Sequence, residues 1–470
     1  MATFATLSFL ARKSLASKMS TTKMIGALAL AISLNTSIAF GSSSAATPLK
    51  PAAVASLDQW LSQQEVISAQ KLMANVSPSD AAPGVVVASP ERNHPNYYFH
   101  WVRDAALTMD TVFELYVHAQ GDEAQVYLDR LIDFARFSRQ NQMTPTKSGM
   151  GEPKFNYDGS AFNGDWCRPQ NDGPALRAVV LTRLANYLLD NGQEEFVRAE
   201  LYDSAIPTNT VIKADLEFTS HHWTAKNCDI WEEVYGDHFY TRMAQKRSLI
   251  EGAKLAARLG DGGAAQWYRS QANALDAEIA KHWDSSKQVF VPHLGWSGGL
   301  DYKHSGLDAQ TILAILHTGL MPFSDARVQS TLKALTESFR ALYPINKVAG
   351  IPGVGIGRYP EDKYDGMGFQ GGNPWVLITA AFANGHYRAA LELINEGHVD
   401  KARAHFHEGD ELMKRIQYHA YANGSLSEQM DRHTGYMTAA RDLTWSHSEV
   451  LQANWSRKKL LKALKLSVVH

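Results

Sequence analysis

The feature that most constrains the fold of this chain is the length of the connections between its helical segments, which alternate between short and long. From residue 57 onward apolar residues recur at helical spacing, as Tyr127, Leu128 and Leu131 illustrate. The periodicity predicts twelve helices near 57–75, 104–118, 122–140, 173–190, 205–221, 238–259, 264–283, 306–318, 325–343, 374–396, 399–420 and 443–463. Boundaries read from sequence are uncertain by about two to four residues.

Most even-numbered joints are tight, as at 119–121 and 260–263, although the joint after the fourth segment is longer. The odd-numbered joints are long and rich in Gly, Pro, Trp and Tyr, and they span 76–103, 141–172, 222–237, 284–305, 344–373 and 421–442. Six hairpins with all long loops on one side predict an all-α closed double ring with one loop-bearing rim. Long ordered loops are usually functional. An open solenoid of helical pairs is the alternative, but no short repeat supports it.

The first 46 residues have the pattern of a secretory signal peptide and short leader. Four basic residues and no acid precede an apolar run at 25–34, and small residues follow through residue 46. A run of about ten apolar residues is too short to span a bilayer comfortably. A membrane anchor is the alternative reading. We expect a secreted protein, extracellular or periplasmic, with one domain over 47–470 and no membrane contact after the leader is removed.

The composition excludes several kinds of partner. Lys plus Arg total 46 and Asp plus Glu total 48, so no basic excess exists to bind a nucleic acid. The 18 His residues form no cluster with metal-ligand spacing, so we expect no metal and no cofactor. A monomer is the simplest expectation.

Aromatic residues lie beside carboxylates and arginines in five of the six long loops. Sugars suit this combination, because their C–H faces stack on rings while their hydroxyls bind charged or amide groups. The aromatic and charged residues of these loops include Tyr97, Trp101, Arg103, Asp104, Trp166, Trp231, Glu233, Arg358 and Trp445. Each alone would fit core packing or a loop ion pair, but their convergence on one rim favours a carbohydrate site.

Two candidate catalytic carboxyl groups lie in these loops. Hydrolysis of a glycosidic bond needs one carboxyl to protonate the leaving oxygen and another to activate water or attack the sugar. Glu232 suits the first role, because the adjacent Glu233, the apolar Trp231 and partial burial can all raise a carboxyl pKa. Glu428 is the candidate for the opposing carboxylate. A helix start with surface charges is the alternative reading of the Trp-Glu-Glu triplet.

Seven segments together resemble the catalytic domain of glucoamylases, glycoside hydrolase family 15. They are 98–104, 151–156, 172–177, 229–234, 357–362, 427–429 and 440–446, and they occur in family order. The resemblance implies an (α/α)6 barrel. It also implies exo-acting, inverting hydrolysis of α-1,4-glucosidic bonds from the non-reducing ends of starch, dextrins and maltooligosaccharides, with release of β-D-glucose. Alternatives are a preference for α-1,6 bonds or trehalose, and a sugar-binding protein without chemistry.

The resemblance assigns roles to individual positions. Glu232 matches the general acid and Glu428 the general base, with Gln429 near the attacking water. Arg103, Asp104, Arg358 and the backbone of Ile230 match the groups that bind the terminal glucose. Glu233 matches a binder of the next unit, Tyr97 and Trp101 aromatic lining, Trp166 a support for the acid, and Trp445 the pocket wall.

The chain departs from the family pattern in two places. The segment 363–371 is longer than in the common fungal pattern and lies on the rim, where it could alter chain-length preference. No segment resembles the fungal starch-binding module. The two cysteines, Cys167 and Cys228, lie within site motifs. They could form a bridge between two rim loops or remain two free buried thiols.

Overall fold

A computed structural model describes residues 55–467 of the chain, so the predicted leader lies outside the described residues. The twelve predicted helices are present. They are α1 (Leu57–Ala74), α2 (Val102–His118), α3 (Gly121–Met143), α4 (Asp172–Asp190), α5 (Val211–His222), α6 (Phe239–Arg258), α7 (Gly262–Ala280), α8 (Gln310–Thr318), α9 (Ala326–Leu342), α10 (Val376–Asn395), α11 (Val399–His419) and α12 (Thr444–Ser467).

The even-numbered helices form a closed inner ring. Each of them packs against the next even-numbered helix, and α12 returns to α2. Each odd-numbered helix packs outside this ring against an even-numbered neighbour. The fold is therefore an (α/α)6 barrel, as expected, and not an open solenoid. Each long loop leads into the N-terminus of an inner helix.

Burial explains why these sequences occupy different layers. Inner helix α10 is buried almost continuously from Val376 to Tyr387, because neighbouring helices enclose it. Its Gly385 permits close packing, since a Cβ there would lie 2.5 Å from the Phe323 ring. Outer helix α9 instead buries one face, formed by Val328, Thr331, Leu332, Leu335 and Phe339. That spacing is the one expected of a helix with one solvent-facing side.

The segment between α4 and α5 differs from the sequence prediction in two ways. Helix α5 begins at Val211 and not near residue 205. The preceding residues form a turn instead, in which the Asp203 carboxylate accepts hydrogen bonds from the backbone amides of Ala205 and Asn209. The longer joint before α5 contains a short α-helical turn, Glu194–Phe196, followed by a π-helical turn, Val197–Leu201.

Short antiparallel strands, which the sequence did not predict, organise the long loops. They are β1 (Phe99–Trp101), β2 (Lys154–Asn156), β3 (Asn227–Cys228), β4 (Val234–His238), β5 (Trp283–Asp284), β6 (Val289–Phe290), β7 (His293–Gly299), β8 (Ser427–Met430) and β9 (Met437–Arg441). The pairs are β1 with β2, β5 with β6 and β8 with β9, and β4 lies between β3 and β7. No helix in the described part is long and apolar enough to cross a membrane.

Candidate active site

All six long loops contribute to one cavity of about 530 Å³. The first turns of α2, α10 and α12 complete its lining through Asp104, Leu377 and Trp445. Every predicted site residue lines this cavity except Gln429. The volume lies within the range of about 300–1,000 Å³ that is usual for small-molecule sites. Residues predicted from separate loops are thus brought together in space.

Glu232 occupies a tight turn between β3 and β4. Its φ of +66° lies in the left-handed region, which residues other than glycine rarely adopt. Asp229 holds the turn, because its Oδ1 accepts hydrogen bonds from the amides of Glu233, at 2.8 Å, and Val234, at 2.9 Å. Such backbone strain costs about 1–3 kcal/mol and is common at functional sites. The turn fixes where the Glu232 side chain enters the cavity.

The Glu232 carboxyl group receives its hydrogen bonds on one oxygen. Trp101 Nε1 donates to Oε1 at 3.0 Å, and Gln170 Nε2 donates to the same atom at 3.1 Å. Arg103 Nη2 lies 3.6 Å from Oε1. Among the described residues, no hydrogen bond reaches Oε2. Trp166, which the resemblance gives as a support for the acid, lines the cavity and lies with its ring centre 5.9 Å from that of Trp101, the residue that bonds to Glu232.

Glu428 has a more enclosed environment on β8. Its side chain is buried, and burial raises the pKa of the carboxyl to about 8, although the Tyr97 hydroxyl and the charge of Arg358 lower it. Gln429 Nε2 donates to Glu428 Oε2 at 3.0 Å, and Asn373 Nδ2 donates to Gln429 Oε1 at 3.0 Å. Gln429 therefore fixes the Glu428 side chain by a hydrogen bond and does not itself line the cavity.

The buried Arg103 and the half-buried Asp104 form a charged pair at the start of α2. Arg103 donates from Nη1 to Gln170 Oε1 at 2.8 Å and to Asp172 Oδ2 at 3.1 Å. Its Nε lies 3.5 Å from Asp104 Oδ2, an atom with no hydrogen-bond partner in the described part of the chain. Burial raises the pKa of Asp104 to about 6, although the charge of Arg103 lowers it. Because Oδ2 is enclosed, a ligand can reach Asp104 only at its other carboxylate oxygen, since the side chain lines the cavity and is 17% exposed.

Glu233 is paired with cations, which corrects one sequence argument. Arg358 Nη2 donates to its Oε1 at 2.8 Å, Tyr359 donates to its Oε2 at 2.7 Å, and Lys303 Nζ lies 3.2 Å from Oε2. Asp362 fixes Arg358 through two further hydrogen bonds of 2.8 and 2.7 Å. Because these groups balance its charge, Glu233 does not act on Glu232 as an unpaired like charge.

Polar side chains contact the aromatic rings that line the cavity. Lys154 Nζ lies 4.2 Å from the ring centre of Trp101 and 3.8 Å from that of Trp166. Trp445 Nε1 donates to Glu449 Oε1 at 3.0 Å. Trp231 Nε1 donates to Asp308 Oδ1 at 2.8 Å. Because each ring has such a partner, the apolar surface offered to a ligand is fixed in orientation.

The two cysteines form a disulfide that links the loop before α4 to β3. The Cα atoms of Cys167 and Cys228 are 5.9 Å apart. Of the two possibilities left open by the sequence, the bridge is therefore the correct one. It joins the segment next to Trp166 to the strand that leads into the Glu232 turn.

Sequence reasoning missed several residues of the cavity and its surroundings. Tyr364, Trp375, Gly299 and Leu300 line the cavity, and Gln170 bonds to Glu232. Trp375 and Gln170 stand in the aromatic-rich loops, which could have indicated them. The buried Lys303 lies within 3.5 Å of three carboxylates, of Asp229, Glu233 and Asp308, but an isolated lysine gives no sequence pattern.

Comparisons with known proteins agree with this geometry. A family model described as "Glycosyl hydrolases family 15" matches residues 63–455. The chain is 35% identical to "Glucoamylase" of Blastobotrys adeninivorans over 86% of this chain and 72% of that protein. It is 33% identical to "Probable glucoamylase" of Schizosaccharomyces pombe, over 88% of this chain and 95% of that one. The solved glucoamylase from Saccharomycopsis fibuligera superposes with a TM-score of 0.77 at 29% identity, over 86% of this chain and 96% of that one.

Proposed function

The chain belongs to the glycosyl hydrolases of family 15, and we propose that Glu232 and Glu428 are its catalytic acid and base. The protein is a glycoside hydrolase with glucoamylase activity: it removes glucose from the non-reducing ends of α-1,4-linked glucans by an inverting reaction. One observation carries the assignment of the two glutamates, which is that residues from separate loops line a single cavity.

The two glutamates act on opposite sides of the terminal sugar. Glu232 donates a proton to the bridging oxygen while Glu428 accepts a proton from the attacking water. Hydrogen bonds from Trp101 and Gln170 to Glu232 Oε1 stabilise the carboxylate that forms as its proton leaves. Water enters from the face opposite the leaving group, so the first product is β-D-glucose.

The buried polar groups select a chain end. Asp104 accepts hydrogen bonds from hydroxyls of the terminal glucose, and Arg103 and Arg358 donate to them. The apolar faces of this glucose are enclosed by aromatic side chains, those of Tyr97, Trp101, Trp166, Trp231 and Trp445. The backbone of Ile230 contacts the same sugar, and Glu233 binds the next unit. Gln429 positions Glu428. A cavity closed by a charged pair accepts an end and not an interior segment, which accounts for exo action.

Proton NMR of the first product from maltose tests the substrate and the mechanism together. We expect the β-anomer signal of glucose to appear before mutarotation produces the α-anomer. Isomaltose and trehalose, assayed in parallel, test the two alternative linkages. Initial formation of α-glucose would contradict the assignment of Glu428 as a base, and absence of hydrolysis of maltose and maltotriose would contradict the preferred substrate.

We also propose that the enzyme is a secreted monomer that acts on starch, dextrins or maltooligosaccharides. The signal-like sequence of residues 1–46 and the disulfide between Cys167 and Cys228 support secretion. In this proposal residues 47–470 form the mature catalytic domain. Expression in the native host, followed by N-terminal sequencing of the protein in the medium and in cells, tests it. A protein retained in cells with an intact N-terminus would contradict secretion.

A further inference from the structure

The loop before α10 holds a large aromatic side chain in water at the mouth of the cavity. Phe369 is 72% exposed, yet it lines the same cavity as Glu232 and Glu428. It belongs to the segment that is longer than the common fungal pattern. Exposing an apolar ring of this size is unfavourable in water. The roles already assigned to the deep part of the cavity do not involve Phe369.

The loop that carries Phe369 is held in place by its own hydrogen bonds. The Asp365 carboxylate accepts from the amides of Met367 at 2.9 Å, Gly368 at 2.5 Å and Gln370 at 3.1 Å. Gly366 has a φ of +90°, and a Cβ at this position would overlap Ala439 of β9. The backbone therefore packs closely on β9 at Gly366, and hydrogen bonds hold the residues on both sides of Phe369.

Aromatic contacts connect Phe369 to the interior of the cavity. Its ring centre lies 6.2 Å from that of Tyr364, which in turn lies 6.3 Å from that of Trp375. The Tyr364 and Tyr97 hydroxyls are 2.7 Å apart, within hydrogen-bond distance. Tyr364, Trp375 and Tyr97 all line the cavity. An aromatic surface thus continues from the wall near the catalytic residues to the exposed ring.

We propose that Phe369 is a stacking platform for a glucan unit beyond the two that flank the cleaved bond. This inference rests on the proposed function, because it places the ring along the path of the substrate. An α-glucan presents C–H faces that can cover an exposed ring, and the covered surface leaves water on both partners. Maltose is too short to reach this position, whereas longer chains extend towards it.

The test compares chain-length dependence in Phe369→Ala and the parent. The quantity measured is the ratio of kcat/KM for maltoheptaose to kcat/KM for maltose. We expect Phe369→Ala to lower this ratio by about 3- to 10-fold, the size of one aromatic stacking contact. Met367→Ala is the matched control, because Met367 is also exposed in this loop but does not line the cavity. Met367→Ala should leave the ratio unchanged. Phe369→Trp, which keeps an aromatic ring, should have the same ratio as the parent.

Two results would overturn the proposal. One is that kcat/KM stays at the parent value for both sugars in Phe369→Ala. The other is that it falls equally for both, which leaves the ratio unchanged and would mean that Phe369 acts through Tyr364 on the reaction site. Calorimetric binding of maltose and maltoheptaose to the Glu428→Gln variant, with and without Phe369→Ala, separates this inference from the proposed function. If the parent hydrolyses neither sugar, the proposed function fails, and the ratio of dissociation constants still decides whether Phe369 binds the longer chain.

Discussion

Glu232 and Glu428 are the same residue type in contrasting environments. Glu232 stands on a strained turn with its side chain 18% exposed, and two N–H donors reach one of its oxygens. Glu428 lies on a strand, is 2% exposed, and has its pKa raised to about 8 by burial. The difference shows how loop packing can give two residues of the same type different burial and different hydrogen-bond partners.

The largest expected effect separates the two roles. Glu232→Gln and Glu428→Gln should each lower kcat on maltose by about 10²- to 10⁴-fold, because each removes acid or base catalysis. α-Glucosyl fluoride has a leaving group that needs little protonation. Glu232→Gln should therefore keep far more of the parent rate on this substrate than Glu428→Gln. If both variants lost the same fraction of the parent rate on the fluoride, Glu232 would not be the acid and Glu428 the base.

The next largest effect should come from Asp104, which forms the charged pair with Arg103. Asp104→Asn should lower kcat/KM for maltose about 100-fold, because a charged acceptor for a sugar hydroxyl is lost in a buried site. Asp122→Asn is a matched control, since Asp122 lies in the first turn of α3 and is exposed. The control should retain parent kinetics. If Asp104→Asn had the kinetics of the parent, Asp104 would not be a substrate-binding residue.

The pH dependence tests the environment of Glu428 directly. Because burial raises its pKa, the ascending limb of kcat/KM should lie above pH 4.5, the ordinary value for this group. The Tyr97 hydroxyl lowers this pKa, so Tyr97→Phe should move the limb upward by about 0.4–1 pH unit, the equivalent of one hydrogen bond. A downward shift, measured with maltose between pH 3 and 9, would contradict this role of Tyr97.

The smallest effect concerns stability. The folded protein keeps a proton on Glu428 that the unfolded chain releases, so this group makes folding less favourable as pH rises from about 4.5 to about 8. Glutamine at 428 has no such dependence. The Tm of Glu428→Gln should therefore exceed that of the parent by a margin that grows across this range and vanishes near pH 4. Calorimetric scans at several pH values measure it, and a margin independent of pH would show that burial does not perturb Glu428.

The sequence predicts the helices well because apolar periodicity reports burial directly. It does not predict the strands, since segments as short as Asn227–Cys228 are stabilised only by partners across the loops. The missed strand β8 also explains why Gln429 does not line the cavity. Neighbouring residues of a strand point to opposite faces, so Glu428 and Gln429 cannot both face the cavity. The charge balance around Glu233 was likewise hidden, because Lys303 and Arg358 come from different loops.

Closure of the inner ring has a consequence for how the protein is made. Helix α12 packs against α1 and α2, and Thr444 bonds through its amide and hydroxyl to the carbonyls of Ala88 and Val87. During synthesis Glu232 leaves the ribosome long before Glu428 does. Only the final hairpin brings the second glutamate to the first, so with the catalytic roles that we propose we expect the growing polypeptide to stay inactive on glucans until the last helices emerge.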